Sequence, residues 1–209
     1  MNTREHWQKV YGNKDSMDVS WYQSKPEVSL RFFKELNIQK EAAVIDVGGG
    51  DGNLVDYLLQ EGYSDITVLD ISEKALEKSI QRLGEKAKLV NWIVADINGF
   101  APAKKFDVWH DRAVLHFLTD EADRKLYLET ANKYLKPNAK IIIGAFSDQG
   151  PDECSGLPVK QYNESSLSAF VKKYFHKIKC ITADHLTPFN TIQNFLYCSF
   201  LKTTSYGIS

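Results

Sequence analysis

The sequence predicts an α/β fold in which a doubly wound, mostly parallel sheet carries helices on both faces. Short apolar runs alternate with segments that carry helix signals, the pattern of parallel strands joined by helical crossovers. The last two strand-like segments follow each other with no helix between them, which predicts an antiparallel pair at one end of the sheet. No repeat or long linker divides the 209 residues, so we expect a single domain.

Seven segments have strand character. The first five are continuous apolar runs, as expected for strands buried on both faces of a parallel sheet. The last two flank the turn Thr187-Pro188-Phe189-Asn190 and form the antiparallel tail. In chain order the seven are Ala43–Val47, Ile66–Leu69, Leu89–Val94, Phe106–Trp109, Ile141–Phe146, His176–Ala183 and Thr191–Leu201.

Helix signals fill the intervals between the strands. Capping residues, acidic first turns and terminal glycine or proline set the expected bounds. We expect helices from Pro26 through Leu36, over Asn53–Glu61, from a Ser72 cap to Leu83, from a Thr119 cap over Asp120–Leu135, and from an Asn163 cap over Glu164–Tyr174.

Composition narrows the classes of partner and compartment. A net charge of -1 gives no reason to expect nucleic acid or an anionic membrane as a partner. No apolar run approaches the roughly 20 residues that span a bilayer, and the N-terminus lacks an apolar signal region. Cys154, Cys180 and Cys198 are odd in number, widely spaced and in no metal-type cluster. We therefore expect free thiols, no metal site and a cytoplasmic location.

A glycine-rich loop, Asp46 to Gly52, joins the first strand to the next helix. Glycine permits positive φ and close approach of a ligand to the backbone, and ligands bind at the carboxyl ends of strands in such sheets. The dinucleotide pattern needs glycines at relative positions one, three and six, but Asn53 or Val55 stands at the sixth position here. The carboxylate of Asp51 would also repel a pyrophosphate. The loop suits a ligand with positive charge and no phosphate.

The pattern Asp46-x-Gly48-x-Gly50-x-Gly52 resembles motif I of the class I methyltransferases. That resemblance implies S-adenosylmethionine as the cofactor. It also implies that Asp46 orders the loop and the methionine moiety, and that the three glycines lie against the cofactor.

The resemblance extends to the acidic residues that end the next two strands. Asp70 matches the residue that binds both ribose hydroxyls, as a carboxylate can accept two hydrogen bonds from a cis-diol. Asp96 matches the residue that accepts from the adenine amino group, and Ile71 and Ile97 are placed to sandwich the ring.

The resemblance covers roughly residues 26–146 and the topology of the tail. It implies a seven-stranded sheet of order 3-2-1-4-5-7-6 with the last strand antiparallel. We expect one domain over residues 1–209, with an N-terminal arm or lid at 1–25, a cofactor-binding core at 26–146, and a substrate loop, helix and tail strands at 147–209.

Polar residues follow the fourth strand, on the side that faces the transferred methyl group. His110 and His116 are candidate general bases because imidazole titrates near neutral pH. Asp111 is a candidate for the catalytic site and for holding the cofactor's ammonium group. Arg112 would either pair with Asp111 or orient an anionic substrate. Buried, hydrogen-bonded scaffold roles are the alternative for both histidines.

Two flanking segments are candidates for the substrate side. Trp21 and Tyr22 belong to an aromatic N-terminal stretch with Trp7 and Tyr11, which would either cover the cofactor or pack as a simple arm. Cys154 lies in the loop Ser147–Lys160 and would handle a soft substrate or be an inert thiol.

The acceptor is less specified than the donor. The chain lacks an Asn/Asp-Pro-Pro-Tyr motif after the fourth strand, and its Asp-Arg pair loosely resembles small-molecule methyltransferases that act on thiols. We therefore expect a small nucleophile as the acceptor, such as a thiol, a sulfide or a similar soft group. A protein lysine methyltransferase is the first alternative. An NAD-dependent oxidoreductase is a more distant one, since an acidic residue about 20 residues past the glycines also serves dinucleotides.

Overall fold

A computed structural model describes residues 3–203. Its strands are β1 Ala43–Val47, β2 Asp65–Asp70, β3 Val90–Val94, β4 Phe106–Arg112, β5 Leu135–Phe146, β6 Glu153–Cys154, β7 Leu157–Pro158, β8 Phe175–Leu186 and β9 Ile192–Lys202. Its α-helices are α1 Thr3–Asn13, α2 Glu27–Glu35, α3 Leu54–Gln60, α4 Glu73–Leu83, α5 Glu121–Tyr134 and α6 Glu164–Val171. Short 3-10 helices cover Ser16–Asp18, Gly84–Leu89, Ile97–Gly99 and Leu115–Phe117.

The main sheet has seven strands in the order β3-β2-β1-β4-β5-β9-β8. Strands β1 to β5 pair in parallel, and β9 pairs antiparallel with both β5 and β8. Strands β6 and β7 form a separate two-stranded ribbon in the loop after β5. When β8 and β9 are counted as strands six and seven, the predicted order and the antiparallel last strand are confirmed.

The sheet is covered on both faces, as its continuous apolar strands require. One core cluster packs Trp109 and Ile141 against α5 and α6, through Tyr127 and Leu167. The other packs alternate residues of the same strands, such as Val108, against α2 and α3.

Capping explains most of the helix bounds. The Ser72 side chain accepts from the Ala75 amide, and Asn163 forms a capping box with Ser166. The predicted cap at Thr119 was wrong by one residue, because Asp120 accepts from two first-turn amides of α5.

Strand β4 continues three residues beyond the predicted end at Trp109. Successive side chains of a strand point to opposite faces. His110 and Arg112 therefore lie on one face of the sheet, and Asp111 lies on the other with Trp109. This alternation decides which of them reach the cavity described below.

The expectation of three free thiols was wrong for two of them. Cys180 on β8 stands directly opposite Cys198 on β9, and the two form a disulfide. Cys154 is free and buried. The hairpin register brings together two residues that are 18 positions apart in the sequence, so spacing by itself did not reveal the pair.

No helix within residues 3–203 is long and apolar enough to cross a membrane.

Candidate active site

A cavity of about 410 Å³ opens at the carboxyl ends of the parallel strands, where ligands bind in open α/β sheets. It is bordered by the glycine loop, the ends of β2, β3 and β4, the N-terminal arm and the start of β9. Most residues predicted for the site border it: Trp21, Tyr22, Asp46, Gly48, Gly52, Asp70, Ile71, Asp96, Ile97, His110, Arg112, His116 and Cys154. Gly50 and Asp111 do not.

The glycine loop is closely packed against its surroundings. Gly48 has a φ of +66°, and a Cβ built there would lie 2.0 Å from Cγ2 of Val114. Gly50 has a φ of +47°, and a Cβ there would lie 2.9 Å from the Tyr11 hydroxyl. At Gly52 it would lie 2.9 Å from a backbone oxygen of Gly49. The loop therefore admits no side chain at these positions without displacement of its neighbours.

Two side chains of α4 support the loop from beneath. The Ser79 hydroxyl donates to the Gly50 carbonyl at 2.8 Å. The Arg82 guanidinium donates to the carbonyls of Asp51 and Gly52 at 2.8 and 2.9 Å. Sequence reasoning missed both residues, because they lie about 30 positions from the loop and belong to no recognisable motif.

Asp46 is positioned by a buried histidine. His110 Nδ1 lies 2.7 Å from Oδ1 of Asp46, and its Nε2 lies 2.8 Å from the hydroxyl of Ser29 on α2. A carboxylate oxygen only accepts, so His110 Nδ1–H donates to Asp46, and Nε2 shares the second hydrogen bond with the Ser29 hydroxyl. Both nitrogens are engaged, whereas the predicted role of general base would need a free lone pair on the ring.

Asp70 is fully enclosed at the end of β2. Its Oδ1 accepts from the Ser72 amide at 2.8 Å. Burial raises the pKa of Asp70 to about 7, and the nearby carboxylates of Asp51 and Asp46 raise it further, against the amides of Ser72 and Gly50. Burial also raises the pKa of Asp51, whose Oδ2 is buried without a partner among the described residues. Three carboxylates in one cavity favour a ligand that brings positive charge or hydroxyl donors.

The end of β3 contributes a more open part of the cavity. Asp96 is exposed, and its Oδ1 accepts from the Asn98 amide at 2.9 Å. Ile97 is buried and Ile71 half-buried, and both border the cavity beside Asp96. The Ala95 amide donates to the Asp70 carbonyl, which ties the ends of β2 and β3 together.

His116 borders the cavity but has no lone pair to offer. Its Nδ1 accepts from the Phe146 amide at 3.2 Å. Burial and the charge of Arg112 lower the pKa of His116 to about 3, so the ring is neutral and its proton sits on Nε2. The predicted role of general base would need a free lone pair on the ring of His116, and this geometry leaves none. The Nε2–H group is a buried donor without a partner in residues 3–203.

Asp111 lies on the opposite face of β4 from the cavity. One oxygen accepts from the Val114 amide, and the other from the Leu115 amide and the Tyr127 hydroxyl, at 2.8, 3.1 and 2.6 Å. Both oxygens are therefore committed to the loop after β4 and to α5. The predicted catalytic and ammonium-binding roles of Asp111 would require its side chain to reach the cavity, which it does not border.

Arg112 does not pair with Asp111. Its Nε donates to the Tyr197 hydroxyl at 3.1 Å, and its Nη1 to the Trp21 carbonyl at 2.9 Å. The guanidinium carbon lies 4.8 Å from the ring centroid of Phe195 on β9, a cation–π distance. Sequence reasoning missed Phe195 and its neighbour Gln193, which also border the cavity.

Aromatic side chains of the N-terminal arm cover the cavity. The ring of Trp7 lies 5.8 Å from Trp21 and 5.1 Å from Phe117, and Tyr11 lies 5.9 Å from Trp21. These are edge-to-face contacts. Gln8 holds the arm to the start of α4 by accepting from the Ser72 hydroxyl at 3.0 Å and the Lys74 amide at 3.1 Å.

Cys154 borders the same cavity from the β6–β7 ribbon. Burial raises the pKa of its thiol. The group is therefore protonated at neutral pH, which makes it a poor nucleophile and an inert wall residue.

The family model for a methyltransferase domain matches residues 45–141, which span β1 through most of β5. The chain carries a methyltransferase domain. Among residues 3–203, no group of three His, Cys, Asp or Glu side chains is arranged to hold a metal ion.

Curated relatives of this chain are named for the acceptor that each of them methylates. EEF1A lysine methyltransferase 2 of Danio rerio is 29% identical over 158 aligned residues, and the match covers 68% of this chain and 68% of that protein. The chain covers 65% of the length of the mouse protein of that name, a little under two thirds.

Solved structures share the whole fold at low sequence identity. One is a structure reported for the conversion of a disulfide bond into a thioacetal group during echinomycin biosynthesis. It superposes with a TM-score of 0.77 at 17% identity, over 96% of this chain and 93% of the other. Another is the Burkholderia thailandensis 1,6-didemethyltoxoflavin-N1-methyltransferase, with bound substrate and S-adenosylhomocysteine. It superposes with a TM-score of 0.70 at 19% identity, over 97% and 84%.

Proposed function

We propose that this methyltransferase moves a methyl group from S-adenosylmethionine to a small soft nucleophile, a thiol or a sulfide, inside the cavity. The bound cofactor supplies an electrophilic methyl group on a sulfonium sulfur. The chain's own residues bind and orient the two reactants and keep water away from them.

The acidic half of the cavity fits the cofactor. Gly48 and Gly52 border this space without side chains, and Asp46, held by His110, borders it as well. Asp70 would accept from both ribose hydroxyls, and Asp96 from the adenine amino group. The enclosed Oδ2 of Asp51, which has no partner among residues 3–203, would add a further acceptor for a cationic or hydroxylated ligand.

The occupied nitrogens of the two histidines carry the proposal for the acceptor. His110 and His116 were the candidates for proton removal, yet neither has a free lone pair directed at the cavity. The nucleophile must therefore arrive with its own lone pair available. A thiol ionises near pH 8.5, so part of it is thiolate at neutral pH, and a sulfide needs no deprotonation.

The aromatic cover supports a small acceptor. Trp7, Trp21 and Phe117 enclose the space in front of the strand ends, and a cavity of about 410 Å³ lies in the range of small-molecule pockets. Apolar walls suit a polarisable sulfur nucleophile better than a hydrated, charged amine.

Two measurements test the proposal. Isothermal titration should show binding of both S-adenosylmethionine and S-adenosylhomocysteine, and absence of both would refute the cofactor assignment. A panel of thiols and sulfides, with the matching alcohols and primary amines as controls, should then show transfer of labelled methyl to sulfur. Transfer to an alcohol or an amine with none to sulfur would refute the acceptor assignment.

A protein lysine acceptor is a second candidate, favoured by the 29% identity to the Danio rerio enzyme. Incubation of a cell lysate with labelled cofactor separates the two candidates. A lysine acceptor puts the label on a polypeptide, whereas a small acceptor leaves it in the small-molecule fraction.

A cytoplasmic location and the absence of nucleic-acid and membrane partners also belong to the proposal.

A further inference from the structure

We propose that the acceptor carries a carboxylate, which binds between Arg112 and His116 at the side of the cavity formed by β4 and β9. This inference rests on the proposed function and specifies its substrate class. It is carried by three buried polar atoms that have no partner among residues 3–203 and belong to residues that border the cavity: Nη2 of Arg112, Nε2 of His116 and Oε1 of Gln193.

The guanidinium of Arg112 is held with one edge free. Its Nε and Nη1 are fixed by the Tyr197 hydroxyl and the Trp21 carbonyl, and its face lies over Phe195. None of these contacts neutralises the charge. A buried guanidinium nitrogen without a partner is costly, so its free Nη2–H groups are available to an oxygen anion from the ligand.

The imidazole of His116 adds a second donor close to the same aromatic ring. Its centroid lies 6.5 Å from that of Phe195, the ring whose centroid is 4.8 Å from the Arg112 guanidinium carbon. Because Nδ1 accepts from the Phe146 amide, the neutral ring presents Nε2–H as a donor. One charged and one neutral donor suit the two oxygens of a carboxylate.

The charge of the surroundings favours a monoanion over a phosphate. Arg112 supplies one positive charge, whereas Asp46, Asp51 and Asp70 border the same cavity. A phosphate dianion would leave excess negative charge in a buried space. The carbonyl oxygen of Gln193 would face an N–H or O–H group on the acceptor, and Phe146 and Phe117 would enclose its apolar part.

Matched thiol pairs test the inference. We would compare 4-mercaptobenzoate with 4-mercaptobenzamide, and 3-mercaptopropionate with 3-mercaptopropionamide, using rates divided by the thiolate fraction. Loss of hydrogen bonds to a charged group corresponds to about 10- to 100-fold, so kcat/KM should favour each carboxylate by that factor. Equal values within each pair would overturn the inference.

A binding measurement separates this inference from the proposed function. In enzyme saturated with S-adenosylhomocysteine, 4-(methylthio)benzoate should bind about 10- to 100-fold tighter than 4-(methylthio)benzamide. If the cofactor product binds and thiols are methylated without this difference, the proposed function stands and the carboxylate site fails. If the cofactor product does not bind, the proposed function fails first.

Variants assign the preference to its residues. Arg112→Gln should make the two members of each pair equal, and Gln193→Glu should reverse the preference by repelling the carboxylate. Arg31→Gln removes an exposed positive charge outside the cavity and should leave the preference unchanged. If Arg112→Gln does not fold, Gln193→Glu still decides, because an unchanged preference in that variant contradicts the site.

Discussion

His110 joins Asp46 to Ser29, with its two ring nitrogens 2.7 and 2.8 Å from their oxygens. The histidine thereby fixes the rotamer of the carboxylate at the start of the glycine loop. A group engaged in this way supports cofactor binding and does not exchange protons with a substrate.

Ser29→Ala should therefore weaken cofactor binding. It removes the hydrogen-bond partner of His110 Nε2 and loosens Asp46, a loss of about 1 kcal/mol or roughly fivefold in Kd. Isothermal titration with S-adenosylhomocysteine measures the change. Ser168→Ala is the control, because the Ser168 hydroxyl on α6 is also buried but has no partner among residues 3–203. Equal Kd values for the two variants would contradict the support role.

Asp70 should make cofactor binding depend on pH. Its pKa of about 7 means that the ligand-free carboxyl is protonated below neutrality, whereas the ribose hydroxyls prefer the ionised form. Affinity should fall about tenfold per pH unit well below pH 7 and level off above it. The probe is 5′-methylthioadenosine, which keeps the diol and lacks the amino-acid group, titrated from pH 5.5 to 8.5.

Asp70→Asn should remove this dependence of affinity on pH, and a slope that persists in the variant would assign the dependence to another group.

The raised pKa of Asp70 also affects the stability of the protein without ligand. A carboxyl whose folded pKa is raised stabilises the fold below its ordinary pKa of 3.8, and this contribution is lost as the pH rises through about 7. The variant should therefore gain stability relative to wild type between pH 5 and 8 in urea unfolding.

The fold and the cofactor half of the site follow from local sequence. Asp46, Asp70 and Asp96 each end a short apolar run, so the positions of the strands determine that the carboxylates meet at one edge. The acceptor half does not follow in this way. The end of β4 lies three residues beyond the end of its apolar run, and this difference decides the face to which Asp111 points.

Contacts between distant segments were also beyond sequence reasoning. Ser79 and Arg82 reach the loop from a helix about 30 residues away, and Gln193 reaches the cavity from β9, near the end of the chain. Neither the hydrogen-bond partners of His116 nor the pairing of Cys180 with Cys198 has a local signature. Each depends on the register of strands that are joined late in the chain.

Gly48→Ala should abolish cofactor binding and destabilise the protein. A positive φ costs an alanine about 1–2 kcal/mol, and the added Cβ would also meet Val114 at 2.0 Å. Gly62→Ala is a matched control, since Gly62 has a φ of +88° with no atom within 4 Å of its added Cβ. The control should show the backbone cost in urea unfolding and keep its affinity for S-adenosylhomocysteine.

The double variant Gly48→Ala with Val114→Ala tests the cause. It removes the clashing methyl groups and should recover part of the stability lost by Gly48→Ala. No recovery would show that backbone strain, and not the contact with Val114, accounts for the effect.

Tyr127→Phe should destabilise the fold by about 1–3 kcal/mol. The change leaves an oxygen of Asp111 without its 2.6 Å donor and the Trp109 indole N–H without its acceptor. Burial already raises the pKa of Asp111 to about 6 while the Tyr127 hydroxyl lowers it, so the variant should raise that pKa further.

The destabilisation in Tyr127→Phe should therefore be larger at pH 8, where Asp111 is ionised, than at pH 5. Urea unfolding at the two pH values measures it. Tyr134→Phe, at the end of α5, is the control. An equal loss at both pH values would show that the ionisation of Asp111 is not involved.

The pH dependence of turnover tests whether the acceptor supplies its own lone pair. Neither His116 nor His110 has a free ring lone pair for proton removal, so the rising limb of kcat/KM should report the acceptor's pKa and not that of a group of the enzyme. With S-adenosylmethionine saturating, an acidic aromatic thiol should give a rising limb at lower pH than an alkyl thiol. The two limbs should be displaced by the difference between the pKa values of the thiols. Saturation with S-adenosylmethionine favours the ionised form of Asp70, so the titration of Asp70 does not set the position of the limb. A limb that stays at one pH for both thiols would reveal a base in the enzyme and overturn the proposed mechanism, because a group of the protein has the same pKa whichever thiol is bound.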